Sequence, residues 1–187
     1  MKREKRNALL AGALIILAGC LDVSFTVAKT VTLAVDATSS TYSGTAVVDL
    51  STNSDFQKHK GNVNGISLEK VVVSVASINA SNASTQLTSG SVSLRADGAP
   101  ADGSQDVKVG TISALVFHDY LVASAGGGGK TFTVPLDNAQ ALNKFLMDNV
   151  VRGSGKFSAV VNAQTDQAQT HITLQLDLTN SLSYGLL

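Results

Sequence analysis

Thr170-His171-Ile172-Thr173-Leu174-Gln175-Leu176-Asp177-Leu178-Thr179 is the stretch that decides the fold. Ile172, Leu174, Leu176 and Leu178 alternate with Thr173, Gln175, Asp177 and Thr179. A period of two puts neighbouring side chains on opposite faces of an extended chain, so this is a strand with one apolar and one polar face. Just upstream, Phe157, Ala159 and Val161 keep the same rhythm, and Thr165-Asp166-Gln167 supplies the turn between the two strands. Further back the period changes once. Ala141, Leu142, Phe145, Leu146 and Val150 recur at three and four residues behind Asp137 or Asn138 as a cap, and Gly153 stands where a left-handed terminal residue belongs. This predicts one helix over about 138–151. Phe132, Val134 and Leu136 precede it as a short strand that Pro135 confines to an edge or a strand end.

The N-terminal half repeats the two-residue rhythm. Phe25, Val27, Val31, Leu33 and Val35 share one face, with Lys29 out of pattern, and Ala46, Val48 and Leu50 predict a partner strand in a long hairpin. Ser51 to Lys60 breaks the alternation; Asp55 or Ser54 as cap predicts a short helical turn that carries Phe56 inward. Ile66 and Leu68 then fall on one parity and Val71, Val73 and Val75 on the other, which asks for a β-bulge near Lys70 or cover on both faces. A strand is expected over about 84–96, an exposed loop through Asp97-Gly98 to Asp102-Gly103, and a dense apolar run from Val107 to Ala123 that reads as a central strand. Gly126 to Gly129 reads as a flexible loop tip. Seven or eight strands with polar turns and one connecting helix predict an all-β, mainly antiparallel β-sandwich, immunoglobulin-like in the broad sense, with a small β-barrel as the alternative.

The first residues follow a different logic. Met1-Lys2-Arg3-Glu4-Lys5-Arg6 carries four bases against one acid, and Ala8 to Ala18 is an uncharged run of eleven residues. That layout is a signal peptide's, and the run is too short to span a bilayer, which takes about 20 apolar residues. It ends in Leu17-Ala18-Gly19-Cys20. These four positions resemble the lipobox of bacterial lipoproteins. The resemblance covers about the first twenty residues and implies that the thiol of Cys20 takes up a diacylglycerol and that the chain is cut just before it. Leu21 follows Cys20, and Asp22 comes one later, which resembles the outer-membrane pattern more than the inner-membrane one. A lone Cys cannot form an internal disulfide in an exported protein, and lipidation accounts for it. The expected organisation is a leader over 1–19, a tether over 20–24 and one domain over 25–187.

With residues 1–19 removed, 168 residues remain, carrying ten basic and thirteen acidic side chains for a net charge of −3. No basic surplus favours nucleic acid. A soluble domain is expected rather than a membrane barrel, because the aromatic girdles of such barrels are missing. Few groups invite chemistry. Ser124-Ala125-Gly126-Gly127-Gly128-Gly129-Lys130-Thr131 superficially matches a phosphate loop, but Ser124 replaces the leading Gly and a strand rather than a helix follows, so no nucleotide is expected. His59, His118 and His171 have no ligand spacing, and no metal is assigned. Asp97, Asp102 and Asp106 lack the dense Asp-x-Asp pattern of a calcium loop and leave that ion open; Asp119 and Asp166 are their conceivable partners. Glu69 is the one Glu after the leader, and no Gly-x-Ser-x-Gly elbow is present, which leaves no catalytic residue and no cofactor to name.

The expected function is that of a membrane-tethered, non-enzymatic structural or protein-interaction module of the cell envelope. It would be held by acylated Cys20 and would meet an envelope partner at an apolar patch beside the tether or at the Phe132–Leu136 edge. A ligand-binding lipoprotein for sugar, lipid or metal is the alternative, with its site on loops 79–91, 97–106 and 124–130. An envelope hydrolase is the least favoured reading.

Overall fold

The computed structural model describes residues 22–185, so Leu17, Ala18, Gly19 and Cys20 lie outside the described residues. Within them, nine antiparallel strands form two sheets. The first runs in the order β1 (Asp22–Ala37), β9 (Thr170–Gly185), β3 (Val63–Ile78) and β7 (Phe132–Thr133). The second runs β2 (Thr41–Asp49), β8 (Lys156–Thr165), β4 (Gln86–Ala96) and β5 (Val107–Ile112), with β6 (Leu115–Val116) pairing the start of β4. The chain changes sheet at every connection except those from β4 through β5 to β6, which is jelly-roll connectivity within the β-sandwich class. Both sheets end in edge strands, so the barrel alternative is not what forms.

The alternating stretches build the core as their rhythm requires. Leu174, Leu176 and Leu178 of β9 face Val48 of β2, Val92 and Leu94 of β4, and Phe157, Ala159 and Val161 of β8 in one continuous apolar cluster, nearly all fully buried. Each such aliphatic or aromatic side chain contributes about 1.5–3 kcal/mol by leaving water. Lys29 holds an inward position on β1, yet its stem is only half-buried and its Nζ donates to Thr52 Oγ1 at 2.7 Å. The parity change in β3 is a bulge at Glu69: Leu68 lies opposite Asn180 and Lys70 opposite Thr179, so the residue between them has no partner. Leu68 before the bulge and Val71 after it can therefore both be buried.

Several expectations are corrected. β1 and β2 are not a hairpin; β1 is bonded along its whole length to β9, and β2 to β8. The inward residues of β1 and β2 face each other across the core instead. The run 107–123 is not a central strand. It breaks at Ser113-Ala114 into the edge strand β5, the two-residue β6 and the helical turn α2 (Phe117–Tyr120), with Phe117 and Leu121 reaching the core from the turn. β1 starts at Asp22 rather than near Ser24 or Phe25, because the ladder continues to Asp22 opposite Gly185.

The helix is present as α3 (Ala139–Leu146), capped by the Asn138 side chain accepting from Ala141 N–H, and it continues as a wider π-helical segment, Met147–Ser154. The left-handed residue that closes it is Gly155, at φ 84°; Gly153 lies at φ −100°. A side chain at Gly155 would also crowd Ser51 and Phe56. Leu142, Phe145, Leu146, Val150 and Val151 are buried, and Leu68 N–H of β3 donates to Asn143 Oδ1 at 3.3 Å. α3 thus covers the edge of β3 where the two-residue β7 gives out.

Strand directions divide the connections between two ends. The entry of β1 at Asp22, the segment 50–62, the loop 97–106, the π-helical segment and the exit of β9 lie at one end, which we call the base. The turn 38–40 and the loops 79–85, 113–131 and 166–169 lie at the other, the far end.

Candidate functional site

At the base, α1 (Ser54–His59) follows a single 3-10 turn, Leu50–Thr52. Its cap is Asn53, whose Oδ1 accepts from Phe56 N–H at 2.9 Å, in place of Asp55 or Ser54. Phe56 is fully buried, as its position after the cap predicts. Leu50 N–H donates to Gly155 O at 2.9 Å, which ties this segment to the start of β8. His59, at the last turn of α1, stacks on Tyr184 with ring centroids 4.0 Å apart and planes 16° apart. Phe25 completes the group, 5.8 Å from His59 and 5.9 Å from Tyr184. All three rings are half-buried. Asn64 Nδ2 donates to Asp22 Oδ1 at 2.8 Å, and Ser183 Oγ donates to Asn64 Oδ1 at 2.9 Å, so the first described residue of β1 is pinned to β3 and β9.

At the far end a polar clamp stands beside the apolar plugs Phe117 and Leu121. Asp166 accepts from Ser84 Oγ (2.5 Å), Thr85 N–H (3.0 Å), Thr85 Oγ1 (2.6 Å) and Gln86 N–H (3.2 Å). Burial alone would raise its pKa; these donors outweigh that and hold the carboxyl well below the usual range. Asp166 is therefore a clamp between the start of β4 and the β8–β9 connection, and it has no part in a calcium loop.

The glycine run is a built element rather than a loose tip. Gly128 N–H donates to His118 O, Gly129 N–H to Leu121 O and Lys130 N–H to Asp119 O, all at 2.9–3.0 Å. A side chain at Gly127 or Gly128 would strike the backbone of Leu121 or Asp119. Lys130 Nζ pairs with Asp119 at 2.8 Å, and that pairing lowers the Asp119 pKa. A phosphate would thus find the lysine occupied and no helix behind the loop.

The remaining candidates are dispersed. His118 sits in α2 and is exposed, on a helical turn rather than the strand its flanks predict; His59 is at the base. His171 bonds Asp36 across the β1–β9 ladder, Nδ1 to Oδ1 at 2.6 Å, beside a groove of about 280 Å³ that Ser77, Asn79 and Thr173 also line. Asp36 is 82% exposed and His171 25%, so the carboxylate stands in solvent and the imidazole is half-buried. Asp106 is taken by Arg95 in a bidentate pair, Nε to Oδ1 2.7 Å and Nη2 to Oδ2 2.8 Å. Asp102 accepts from the Ser104 hydroxyl and backbone N–H, which lower its pKa. Asp97, Asp102 and Asp106 do not converge, and no cluster of three metal-ligating side chains occurs among the described residues.

Glu69 is the bulge residue and accepts from Ser67. A hollow of about 540 Å³ is a shallow face of Ser, Thr, Asn and Gln side chains around Tyr42, whose hydroxyl is committed to Ala34 O at 2.7 Å. Loops 79–85 and 124–130 share the far end while 97–106 lies at the base, so the three loops expected to make one ligand site do not meet. The segment 132–136 lends only Phe132 and Thr133 to a ladder, and Asp137 N–H closes it against Val109 O at 2.8 Å.

No protein-family model and no curated protein matches the chain. Among solved structures it is similar to desmodium yellow mottle tymovirus, at 16% identity and a TM-score of 0.35 over 100% of this chain and 93% of that one. It is also similar to the decameric BFDV capsid protein, at 11% identity and a TM-score of 0.38 over 87% of this chain and 98% of that one. Tobacco necrosis virus matches at 9% identity with a TM-score of 0.35 over 88% and 98% of the two chains. Likeness this weak bears on neither the role nor the partners of this chain.

Proposed function

We propose that the chain is a lipid-anchored protein of the bacterial cell envelope, acylated at Cys20 and held at the outer membrane, whose sandwich serves as a structural or protein-interaction module rather than an enzyme. The observation that carries this reading is Leu17-Ala18-Gly19-Cys20 behind a basic start and an apolar run, ending two residues before the first strand. The dispersal of His59, His118, His171 and the aspartates supports a non-enzymatic role. For an envelope partner, β1 offers more than the 132–136 segment. It is an edge strand of 16 residues with no bulge against β9, no Pro and one Lys, the kind of edge to which an extended segment adds.

The test is the intact mass of the chain isolated from bacterial membranes. The expected product begins at Cys20 and carries a diacylglycerol, while Cys20→Ser stays uncut and unacylated. A product that keeps residues 1–19, or that is cut without acylation, would end this reading.

A further inference from the structure

Given acylation at Cys20, the length of chain between lipid and fold dictates which region of the sandwich meets the membrane. Cys20 precedes Asp22 by two residues, about 7 Å of extended chain, and Asp22 is already laddered to Gly185 and bonded to Asn64. The base is therefore the region of the fold held closest to the acyl chains. The far end stands the length of β1 away, 16 residues or about 50 Å.

Two arrangements satisfy so short a tether: upright on the base, or lying on the outer face of the first sheet. The chemistry separates them. That outer face presents Ser24, Thr26, Ala28, Thr30, Thr32 and Ala34 along β1, all exposed, with no aromatic and no large apolar side chain among them. The base presents Phe25, His59 and Tyr184 packed as one half-buried aromatic group, with exposed Lys58 beside it. The Tyr184 ring, apolar with a polar hydroxyl, favours the headgroup layer of a bilayer, Phe25 adds apolar surface to it, and lysine stems reach past that layer to water. Beside the rings Asp22 and Asp55 balance Lys58 and Lys60, and loop 97–106 at the same end adds Asp97 and Asp102, so this surface suits a zwitterionic lipid face rather than an anionic one.

We propose that the base rests in the headgroup layer of the membrane, with Phe25, His59 and Tyr184 at the lipid surface, and that the far end with its glycine loop is directed away from the bilayer. This rests on lipid attachment at Cys20. The absence of Trp from the chain makes a clean test possible. The full-length precursor is expressed with Tyr184→Trp, or with Lys58→Trp at an exposed position that leaves the aromatic packing intact, or with Val116→Trp in β6 at the far end. Each acylated product is reconstituted in vesicles of phosphatidylcholine brominated on its acyl chains.

Fluorescence of the Tyr184→Trp and Lys58→Trp proteins is expected to fall at least about two-fold relative to unbrominated vesicles, and that of the Val116→Trp protein to stay unchanged. An acylated product in which the base reporters are unquenched, or in which the Val116→Trp reporter is quenched as strongly, overturns the orientation and leaves the lipid anchor standing. A product whose mass lacks the diacylglycerol overturns the anchor and the orientation with it.

Discussion

Around Phe56 at the base and around Asp166 at the far end, the sandwich is closed by opposite chemistry. At the base, Leu50 and Phe56, the latter carried inward by α1, are fully buried beside Gly155, and this contact is apolar packing. At the far end, four hydrogen bonds converge on the carboxylate of Asp166, and the loop 126–130 is bonded back onto the segment 118–121. Apolar closure depends on volume and is indifferent to protons; closure by a carboxylate depends on its charge. The packing around Phe56 should therefore keep its contribution across pH, and the Asp166 clamp should lose its own in acid.

The largest effect that would break this contrast is at the base. Phe56→Ala removes a fully buried ring beside Gly155 and is expected to cost about 3–5 kcal/mol in urea unfolding, with little change in that cost between about pH 7 and pH 4. A strongly pH-dependent cost would show that the closure around Phe56 is not packing alone.

At the far end, Asp166→Ala is expected to cost about 2 kcal/mol at neutral pH, since it strips the partner from four donors. The sign of its pH dependence follows from the depressed pKa of the folded carboxyl. The contribution is present above the unfolded value of about 4 and is lost as pH falls through the lower folded value. The wild type should therefore weaken on acidification toward about pH 2, and the variant should weaken less; parallel pH profiles would remove the clamp from the explanation. The smallest effect sharpens the base: Asn53→Ala removes the cap of α1 and is expected to cost about 1 kcal/mol, without altering the pH profile.

How far the sequence reveals this arrangement depends on the range of the interaction. Ile172 to Leu178 and Phe25 to Val35 show their buried faces directly, because alternation is a property of one strand by itself. Which strand supplies the hydrogen bonds is not such a property. Val27 to Val35 and Ala46 to Leu50 satisfy their apolar pattern equally as hairpin partners or as facing layers, and the fold uses them as facing layers. The run 107–123 misleads for a related reason: Phe117 and Leu121 are apolar because they plug the core from a helical turn, where a strand would place them no differently in composition.

Caps and terminal glycines differ from expectation by one or two residues, Asn53 for Asp55 or Ser54 and Gly155 for Gly153, since several neighbours could serve and packing against Ser51 and Phe56 selects one. The aromatic group and the Asp166 clamp join residues far apart in the chain, and no local spacing announces either. The one site that spacing does announce, Cys20, lies outside the described residues.

The unbroken β1–β9 ladder has a mechanical consequence. A pull arriving through the residues before Asp22 acts along the axis of β1, with β9 held in the body of the sheet beside it. Such a load is shared by all 16 register pairs in parallel, as in a lap joint, where the same bonds pulled crosswise would open in succession like a zip. The strand nearest the attachment point is thus set in the direction in which a β-ladder best resists being torn out.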